Sequence, residues 1–218
     1  ALYGNYVFES QTIELEGGLR LETVRVDYEV NPNHNTYTSD GYDYVQPFPN
    51  LRVAYKFDDS NKLSLFFNRR VDRPNEVDIR IFPKYDEPEL IKVGNPALQP
   101  QFTTSLELGY KTGWSDGSLF AAVYHRIVDA TITRVATQAP GSVLLYNVFQ
   151  NAGRSWNTGS ELVWQQKVSD RVSLSANANV YQNTVGEFTV VNRYPVPVTY
   201  SASQQRLVSG NIKLNAAI

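Results

Sequence analysis

Apolar and polar residues alternate along many segments of this chain, with the period of two expected of a half-buried β-strand. The clearest case is residues 172–180, where Val172, Leu174 and Val180 share one face and serines and asparagines fill the other. The same alternation recurs at residues 51–57, 63–70, 104–110 and 207–214. No apolar period of 3.6 continues beyond about two helical turns. The pattern therefore predicts an all-β chain.

The connections between these strands are of two kinds. Short connections, rich in turn residues, occur at residues 58–61, 115–117 and 169–170, and long ones at about residues 31–47, 71–101, 135–143 and 186–204. Because short and long connections alternate, the short ones should lie at one end of the strands and the long ones at the other. Outer-membrane barrels have this polarity, with short periplasmic turns and longer extracellular loops.

Three segments, residues 11–30, 117–134 and 143–168, are longer than the roughly nine to eleven residues of a membrane strand. We expect each of them to be one long strand that continues above the bilayer. In the first segment the apolar phase changes near Thr23, from Leu19 and Leu21 to Val24 and Val26, which predicts a β-bulge.

Aromatic residues close to the short turns indicate which end of the strands meets the periplasmic interface. By parity they share the apolar faces, as the rings of a membrane girdle do. The predicted girdle consists of Tyr55, Phe57, Tyr110, Trp114 and Trp164. The same rings would also suit the core of a soluble or surface β-sandwich that binds glycan or protein through its loops. That sandwich is the alternative architecture.

Composition excludes several classes of function. The chain has 20 Lys and Arg against 22 Asp and Glu, so its charge favours no nucleic-acid partner. It has no cysteine, which removes disulfides, thiol catalysis and cysteine zinc sites. It also lacks methionine, even at position 1, which is typical of a mature chain or a cut piece. No apolar run reaches the roughly 18 residues that a membrane helix needs.

Candidate chemistry is sparse. The two histidines, His34 and His125, have no serine motif beside them, so we predict that the protein is not an enzyme. The asparagine-rich loop at residues 31–43 could offer oxygen ligands to calcium, but it lacks the EF-hand spacing and ordinary turn chemistry is favoured. We predict neither a metal site nor a cofactor.

Four motifs follow one another in order: FNRRVDRP at residues 67–74, FPKYDEP at 82–88, GNPALQP at 94–100 and SLELGY at 105–110. This ordered set resembles the barrel region of TonB-dependent outer-membrane receptors, in the outer-membrane β-barrel family abundant in Bacteroidetes-type bacteria. The resemblance implies an antiparallel up-and-down transmembrane β-barrel in the cell outer membrane of a Gram-negative bacterium. It also implies a role in nutrient transport.

The resemblance further implies that residues 1–218 are a single, partial barrel region. About nine strands are predicted, whereas the large plugged barrels have about 22. Nothing in the chain resembles the family's plug domain, and the chain ends at Ile218 rather than on an aromatic residue. The implied partners are outer-membrane lipid, the plug domain and TonB complex of the full-length receptor, and a surface lipoprotein.

The long segment at residues 71–101 contains enough apolar side chains to be a structured part of the barrel rim. Ligand or plug contact is predicted here and at the adjoining strand end for Arg69, Arg70, Arg73, Tyr85 and Asn95. For the arginines the alternative is a structural one, in which they pair with acids of the same segment (Asp72, Glu76 and Asp78).

Overall fold

The computed structural model describes residues 1–217, apart from the side chain of Asp86, and Ile218 lies outside the described residues. Its elements, in chain order, are β1 (Leu2–Glu9), β2 (Ile13–Tyr28), β3 (Asp40–Lys56), β4 (Lys62–Asp72), α1 (Glu76–Ile79), β5 (Lys84–Glu87), β6 (Leu90–Val93), β7 (Gln101–Trp114), β8 (Gly117–Asp129), β9 (Ile132–Gln138), β10 (Leu145–Asn151), β11 (Ser155–Lys167), β12 (Ser173–Val185), β13 (Phe188–Asn192), β14 (Val198–Ala202) and β15 (Gln205–Ala217).

Nine strands form one antiparallel sheet in the order β1-β2-β3-β4-β7-β8-β11-β12-β15. Within this sheet, each strand pairs with the sheet strands that precede and follow it in the chain. This is an up-and-down topology. Strands β1 and β15 are the two edges, so within residues 1–217 the sheet is an unclosed part of a barrel. The prediction of an all-β, partial barrel with about nine strands is confirmed. No helix in residues 1–217 is long and apolar enough to cross a membrane.

The register explains why one face of the sheet is apolar and the other polar. Val53, Leu65, Leu108 and Val123 occupy one row across four neighbouring strands. Leu108 and Val123 remain 45% and 56% exposed, so no second sheet formed by the described residues covers this row. The row on the opposite face contains Asn50, Asn68, Ser105 and Arg126. The β-sandwich alternative is therefore wrong, because its defining feature is a covered apolar face.

The connections alternate as the sequence predicts. Residues 10–12, 57–61, 115–116 and 168–172 make short turns at one end of the sheet. Residues 29–39, 73–100, 130–154 and 186–204 make long connections at the other end. We call these four long connections the loop layer.

Two expectations about strand length and shape are wrong. The predicted strands at residues 117–134 and 143–168 are each interrupted, because Ala130 has a positive φ of 55° that ends β8, and residues 152–154 separate β10 from β11. There is also no bulge near Thr23, since β2 and β3 pair in one unbroken register. The apolar phase changes because the surroundings of the β2–β3 ribbon, the pair of strands β2 and β3, change along its length. Near the long connections the opposite face of this ribbon is covered, and there Val24 and Val26 pack on Tyr42, Tyr44 and Phe48.

The loop layer has secondary structure and a core of its own. Strands β5, β6, β10 and β9 form a four-stranded sheet in which β6 and β10 are parallel, and β13 and β14 form a hairpin. Buried side chains from three of the four connections meet there, namely Val30, Tyr37, Ile91, Val93 and Val148. The expectation that residues 71–101 are structured is therefore confirmed. The long connections pack into one unit above the sheet.

Candidate functional site

A chain of three buried side-chain amides crosses the loop layer. Asn95 donates from Nδ2 to the carbonyl oxygen of Phe149 at 3.1 Å and to Oε1 of Gln150 at 3.3 Å. Gln150 donates from Nε2 to Oδ1 of Asn192 at 2.7 Å. Asn192, which is fully buried, donates from Nδ2 to the Val135 carbonyl oxygen at 2.8 Å. The chain therefore joins three of the four connections by hydrogen bonds that are satisfied internally.

The local sequence fixes Asn95 at one end of this chain. Its Oδ1 accepts the backbone N–H of Ala97 at 3.0 Å, which is an Asx turn of the kind that asparagine before proline favours. Its own N–H donates to the carbonyl oxygen of Asp78 at 2.7 Å, at the short helix α1. Asn75 and Asp78 cap that helix reciprocally. The helix thus anchors the GNP motif beside β10.

Asn151 makes a second link between the connection at residues 73–100 and the connection at residues 130–154. Its Oδ1 accepts the N–H of Gln99 at 2.8 Å, and its Nδ2 donates to the carbonyl oxygen of Gln99 at 2.9 Å. The same Nδ2 donates to the carbonyl oxygen of Ala130 at 2.9 Å, at the residue with positive φ. One asparagine therefore ties the end of the long connection to the base of the hairpin.

A cavity of about 240 Å³ lies where these connections meet. Its polar lining comes from Tyr37, Asn95, Gln150, Asn151 and Arg193, and three valines and an alanine complete the wall. Tyr37 is only 3% exposed, and its hydroxyl has no hydrogen-bond partner in the described part of the chain. Burial raises the pKa of the Tyr37 hydroxyl, the nearby Tyr194 raises it further, and the charge of Arg193 lowers it. Tyr37 and Arg193 therefore both lie at this cavity, and the Arg193 charge acts on the Tyr37 hydroxyl.

The asparagine-rich loop holds Tyr37 in place through turn chemistry. Nδ1 of His34 accepts the backbone N–H groups of Thr36 and Tyr37, at 3.2 and 3.1 Å. Oδ1 of Asn31 accepts the N–H of Asn33 at 2.9 Å. Among the described residues, no group of three His, Cys, Asp or Glu side chains could hold a metal ion. The side chains of this loop therefore satisfy the loop's own backbone.

Arg69 and Arg73 contact the β2–β3 ribbon. Arg69 donates to Oε1 of Gln46 at 2.9 Å, and its guanidinium lies 5.3 Å from the centre of the Phe102 ring. Arg73 donates both to Glu22 Oε2 and to the Tyr44 hydroxyl. The structural alternative named acids of the same segment as partners. Arg70 has such a partner in Asp72, whereas the acid that pairs with Arg73 lies 51 residues away.

The other three predicted contacts lie apart from these two. Arg70 points to the opposite side of β4 and lies 3.6 Å from Asp72. Tyr85 is 68% exposed on β5. Asn95 is 8% exposed within the amide chain and also lines the cavity. The five predicted residues therefore do not form one site, and Asn95 alone among them reaches the cavity.

The predicted girdle residues lie near the short turns. The Tyr55 and Phe57 rings are 5.0 Å apart, and Phe57 and Tyr110 are 6.5 Å apart. Tyr110 donates its hydroxyl to Oδ1 of Asn61 at 2.9 Å, and Trp114 donates from Nε1 to Gln166 at 2.9 Å. Trp164 pairs across the sheet with Leu119. Polar tips that bond near the turns and apolar rings on the exposed face are what a membrane interface requires.

Sequence reasoning missed Tyr37, Gln150 and Arg193. Tyr37 lies in a loop that the sequence marks only by turn residues, and Arg193 lies in a long connection without periodicity. A usable signal was present at Asn151, since Asn and Gly around residues 151–153 indicate a turn that needs side-chain support.

Of the two histidines, His125 lies on β8 and contacts the Thr158 hydroxyl at 2.7 Å.

Comparison with known proteins adds the family and the fold. The chain matches the outer membrane protein beta-barrel family over residues 1–217. It is similar to the siderophore receptor PirA from Pseudomonas aeruginosa, with 14% identity and a TM-score of 0.63 over 96% of this chain and 41% of PirA.

The Serratia marcescens hemophore receptor HasR, solved with its hemophore HasA and heme, gives 15% identity and a TM-score of 0.62 over 97% of this chain and 40% of HasR. The copper transporter OprC gives 14% identity and a TM-score of 0.59 over 96% of this chain and 39% of OprC. The chain therefore spans about two fifths of the length of these structures.

Proposed function

Because the chain belongs to the outer membrane protein β-barrel family, we propose that residues 1–218 form part of the barrel of a TonB-dependent transporter that takes up a nutrient. Family membership confirms the predicted outer-membrane location and the resemblance to outer-membrane barrel receptors. A Bacteroidetes-type origin stays a prediction. The neighbours in fold are described as transporters and receptors, while the lack of enzymatic activity of this chain stays a prediction.

The observation that carries the proposal is the division of the chain into a membrane sheet and a loop layer at one end of it. The exposed apolar face of the sheet suits lipid, and the girdle Tyr55, Phe57, Tyr110, Trp114 and Trp164 marks the end with short turns. The long connections would then lie on the cell surface, where a ligand arrives. Their own core and amide chain make them a shaped surface rather than a set of loose loops.

In this proposal the arginines have two roles. Arg69 and Arg73 hold the β2–β3 ribbon on β4 and β7, while the more exposed Arg70 and Tyr85 remain available for contact with ligand or plug. The polar face of the sheet would line the lumen and contact the plug domain. Energy would come from the TonB complex acting on that plug, with a surface lipoprotein as a further partner in capture.

Uptake by whole cells tests the proposal. Cells with and without the full-length receptor that contains this chain are given labelled ferric siderophore, cobalamin, oligosaccharide and peptide, each with and without a protonophore that removes the inner-membrane energy source. The proposal predicts that at least one of these nutrients accumulates only when both the protein and the energised membrane are present. Equal accumulation of every nutrient in cells that lack the protein would refute it.

A further inference from the structure

One face of the four-stranded sheet in the loop layer carries cations, and the other face belongs to the buried core. Lys84 and Lys92 lie directly opposite each other on β5 and β6, and Asn147 of β10 lies next to Lys92. Two residues further along β10, Phe149 pairs with Arg134 of β9. These side chains share one face, because directly paired residues and residues two apart lie on the same side of a sheet.

A fourth cation reaches this face from helix α1. Arg80 is the C-cap residue of α1, and its carbonyl oxygen accepts the N–H of Gly94 at 2.8 Å. A Cβ atom on Gly94 would collide with the backbone of Arg80, so this close approach requires glycine. The glycine of the GNP motif thus holds Arg80 beside the end of β6.

The four cations line one cavity of about 280 Å³, which we call the cationic cavity. Two of them have acidic partners that do not line it. Oε1 of Glu76 lies 3.8 Å from Nε of Arg80, and Oε1 of Glu87 lies 2.7 Å from Nζ of Lys92. Among the described residues, no Asp or Glu lines the cationic cavity. The lining therefore concentrates positive charge on one concave surface.

Partial burial strengthens this charge. The side chains of Arg80 and Lys92 are only 37% and 28% exposed, and reduced contact with water increases the attraction between a cation and an anion. The guanidinium of Arg134 lies 4.5 Å from the centre of the Phe149 ring and makes no ion pair with the described residues. The ring of Phe82 is exposed at the cavity and offers an apolar surface to a ligand ring.

The number of cations and the volume of the cavity indicate the class of anion. A phosphate monoester carries a charge of about −1.5 to −2 at pH 7 and has three acceptor oxygens, so it can bind several cations at once. A carboxylate has one charge on two oxygens. At about 30 Å³ for each water molecule, 280 Å³ corresponds to roughly nine waters, which suits one ring with one phosphate group.

We propose that the cationic cavity binds a phosphorylated sugar, with its phosphate among the four cations and its ring against Phe82. A free sugar phosphate and the phosphorylated head group of an outer-membrane lipid offer this same chemistry. The inference rests on the proposed function in one respect, namely that the loop layer faces the cell surface, where both sources occur.

Calorimetry on the full-length receptor that contains this chain, in detergent micelles, tests the inference. Glucose 6-phosphate, glucuronate and glucose have the same ring and carry a phosphate, a carboxylate and no charge. Glucose 6-phosphate is expected to bind at least about tenfold more tightly than glucose, with glucuronate between them, because charge-assisted hydrogen bonds are about twice as strong as neutral ones. The inference is wrong if glucose 6-phosphate binds no more tightly than glucuronate or glucose.

Competition distinguishes the two sources of the phosphorylated sugar. Lipid A is added to the complex with glucose 6-phosphate, before and after phosphatase treatment of the lipid. Displacement by intact lipid A alone would identify the lipid head group as the source. Absence of displacement by either form would identify a free sugar phosphate.

Two variants assign the binding to the cationic cavity. Arg80→Gln and Arg134→Gln should each weaken glucose 6-phosphate binding at least about tenfold. The matched control is Arg193→Gln, which removes the same charge from an exposed residue of the loop layer outside this cavity and should leave binding unchanged. Arg134→Lys should restore most of the affinity, since lysine also binds phosphate as a point charge.

Unchanged binding in both cavity variants, or an equal loss in the Arg193→Gln control, would refute the assignment. Failure of this inference can be told apart from failure of the proposed function. A receptor that accumulates a nutrient in energised cells but does not bind glucose 6-phosphate would refute the ligand class alone. Absence of energised uptake for every nutrient would refute the proposed function.

Discussion

Replacing Asn192 by alanine should loosen the loop layer and leave the nine-stranded sheet folded. Asn192 is fully buried and connects the hairpin β13–β14 to the hairpin β9–β10. Its Nδ2 donates to the Val135 carbonyl oxygen at 2.8 Å and to the Thr137 hydroxyl at 3.0 Å. Its Oδ1 accepts from Nε2 of Gln150 at 2.7 Å. Alanine removes all three bonds at once.

The expected cost follows from the partners that are left behind. Gln150 loses the hydrogen bond to Asn192 but keeps the one from its Nε2 to the Val191 carbonyl oxygen at 3.2 Å. Val135 and Thr137 each lose a buried partner, at about 1–3 kcal/mol for each group. The loop layer should therefore lose about 2–6 kcal/mol of local stability, whereas no bond within the sheet strands is affected.

Hydrogen exchange of the protein in detergent micelles, read by mass spectrometry, measures this local loss. Amides in residues 132–151 and 188–202 should exchange at least about thirtyfold faster, since about 1.4 kcal/mol corresponds to a factor of ten. Amides of β7, β8 and β11 should be unchanged. The matched control is Asn35→Ala, at an exposed asparagine of another loop. Equal acceleration in the loop layer and the sheet, or none in either, would refute the reasoning.

The remaining predictions concern the sheet and its upper ribbon. Leu108→Arg places a charge on the exposed apolar face of β7. Leu108 precedes Trp114 by six residues of a tilted strand, which puts it about 15 Å from the Trp114 level and near the bilayer centre. The substitution should cost about 2–4 kcal/mol of folding free energy, measured by urea titration with lipid vesicles. Asn177→Arg, on the polar face, should cost less than about 1 kcal/mol, and equal losses would contradict the assignment of faces. Arg73→Ala should cost about 1–3 kcal/mol because it leaves the 8% exposed Glu22 with fewer partners. In the same titration Arg25→Ala, at an exposed pair, should cost less than about 1 kcal/mol, and the reverse order would rule out the structural role of Arg73.

The membrane sheet could be predicted from the sequence because its determinants are local. A strand with one face in lipid alternates residue by residue, so Leu106, Leu108 and Tyr110 indicate both the element and its exposed face. The short turns have their own residue types, and their alternation with long connections gives the up-and-down order. None of these inferences needs a contact between distant residues.

The loop layer could not be predicted in the same way, because distant pairs hold it together. Asn95 and Gln150 are 55 residues apart, and Gln150 and Asn192 are 42 residues apart. Sequence periodicity contains no information about such pairs. The same limit explains the wrong bulge, since the apolar residues Val24 and Val26 pack on rings from β3 and not on a shifted strand.

Labelling of single cysteines in intact cells tests the central claim most directly, namely that the loop layer faces outward and the short turns face the periplasm. The chain has no cysteine of its own, so each introduced thiol is the only one in it. Val143→Cys lies in the loop layer at a residue that is 83% exposed, and Ser60→Cys lies in a short turn. A maleimide that cannot cross the membrane should label the cysteine at position 143 in intact cells and the cysteine at position 60 only after permeabilisation. Labelling at position 60 in intact cells, or protection of position 143, would contradict the claim.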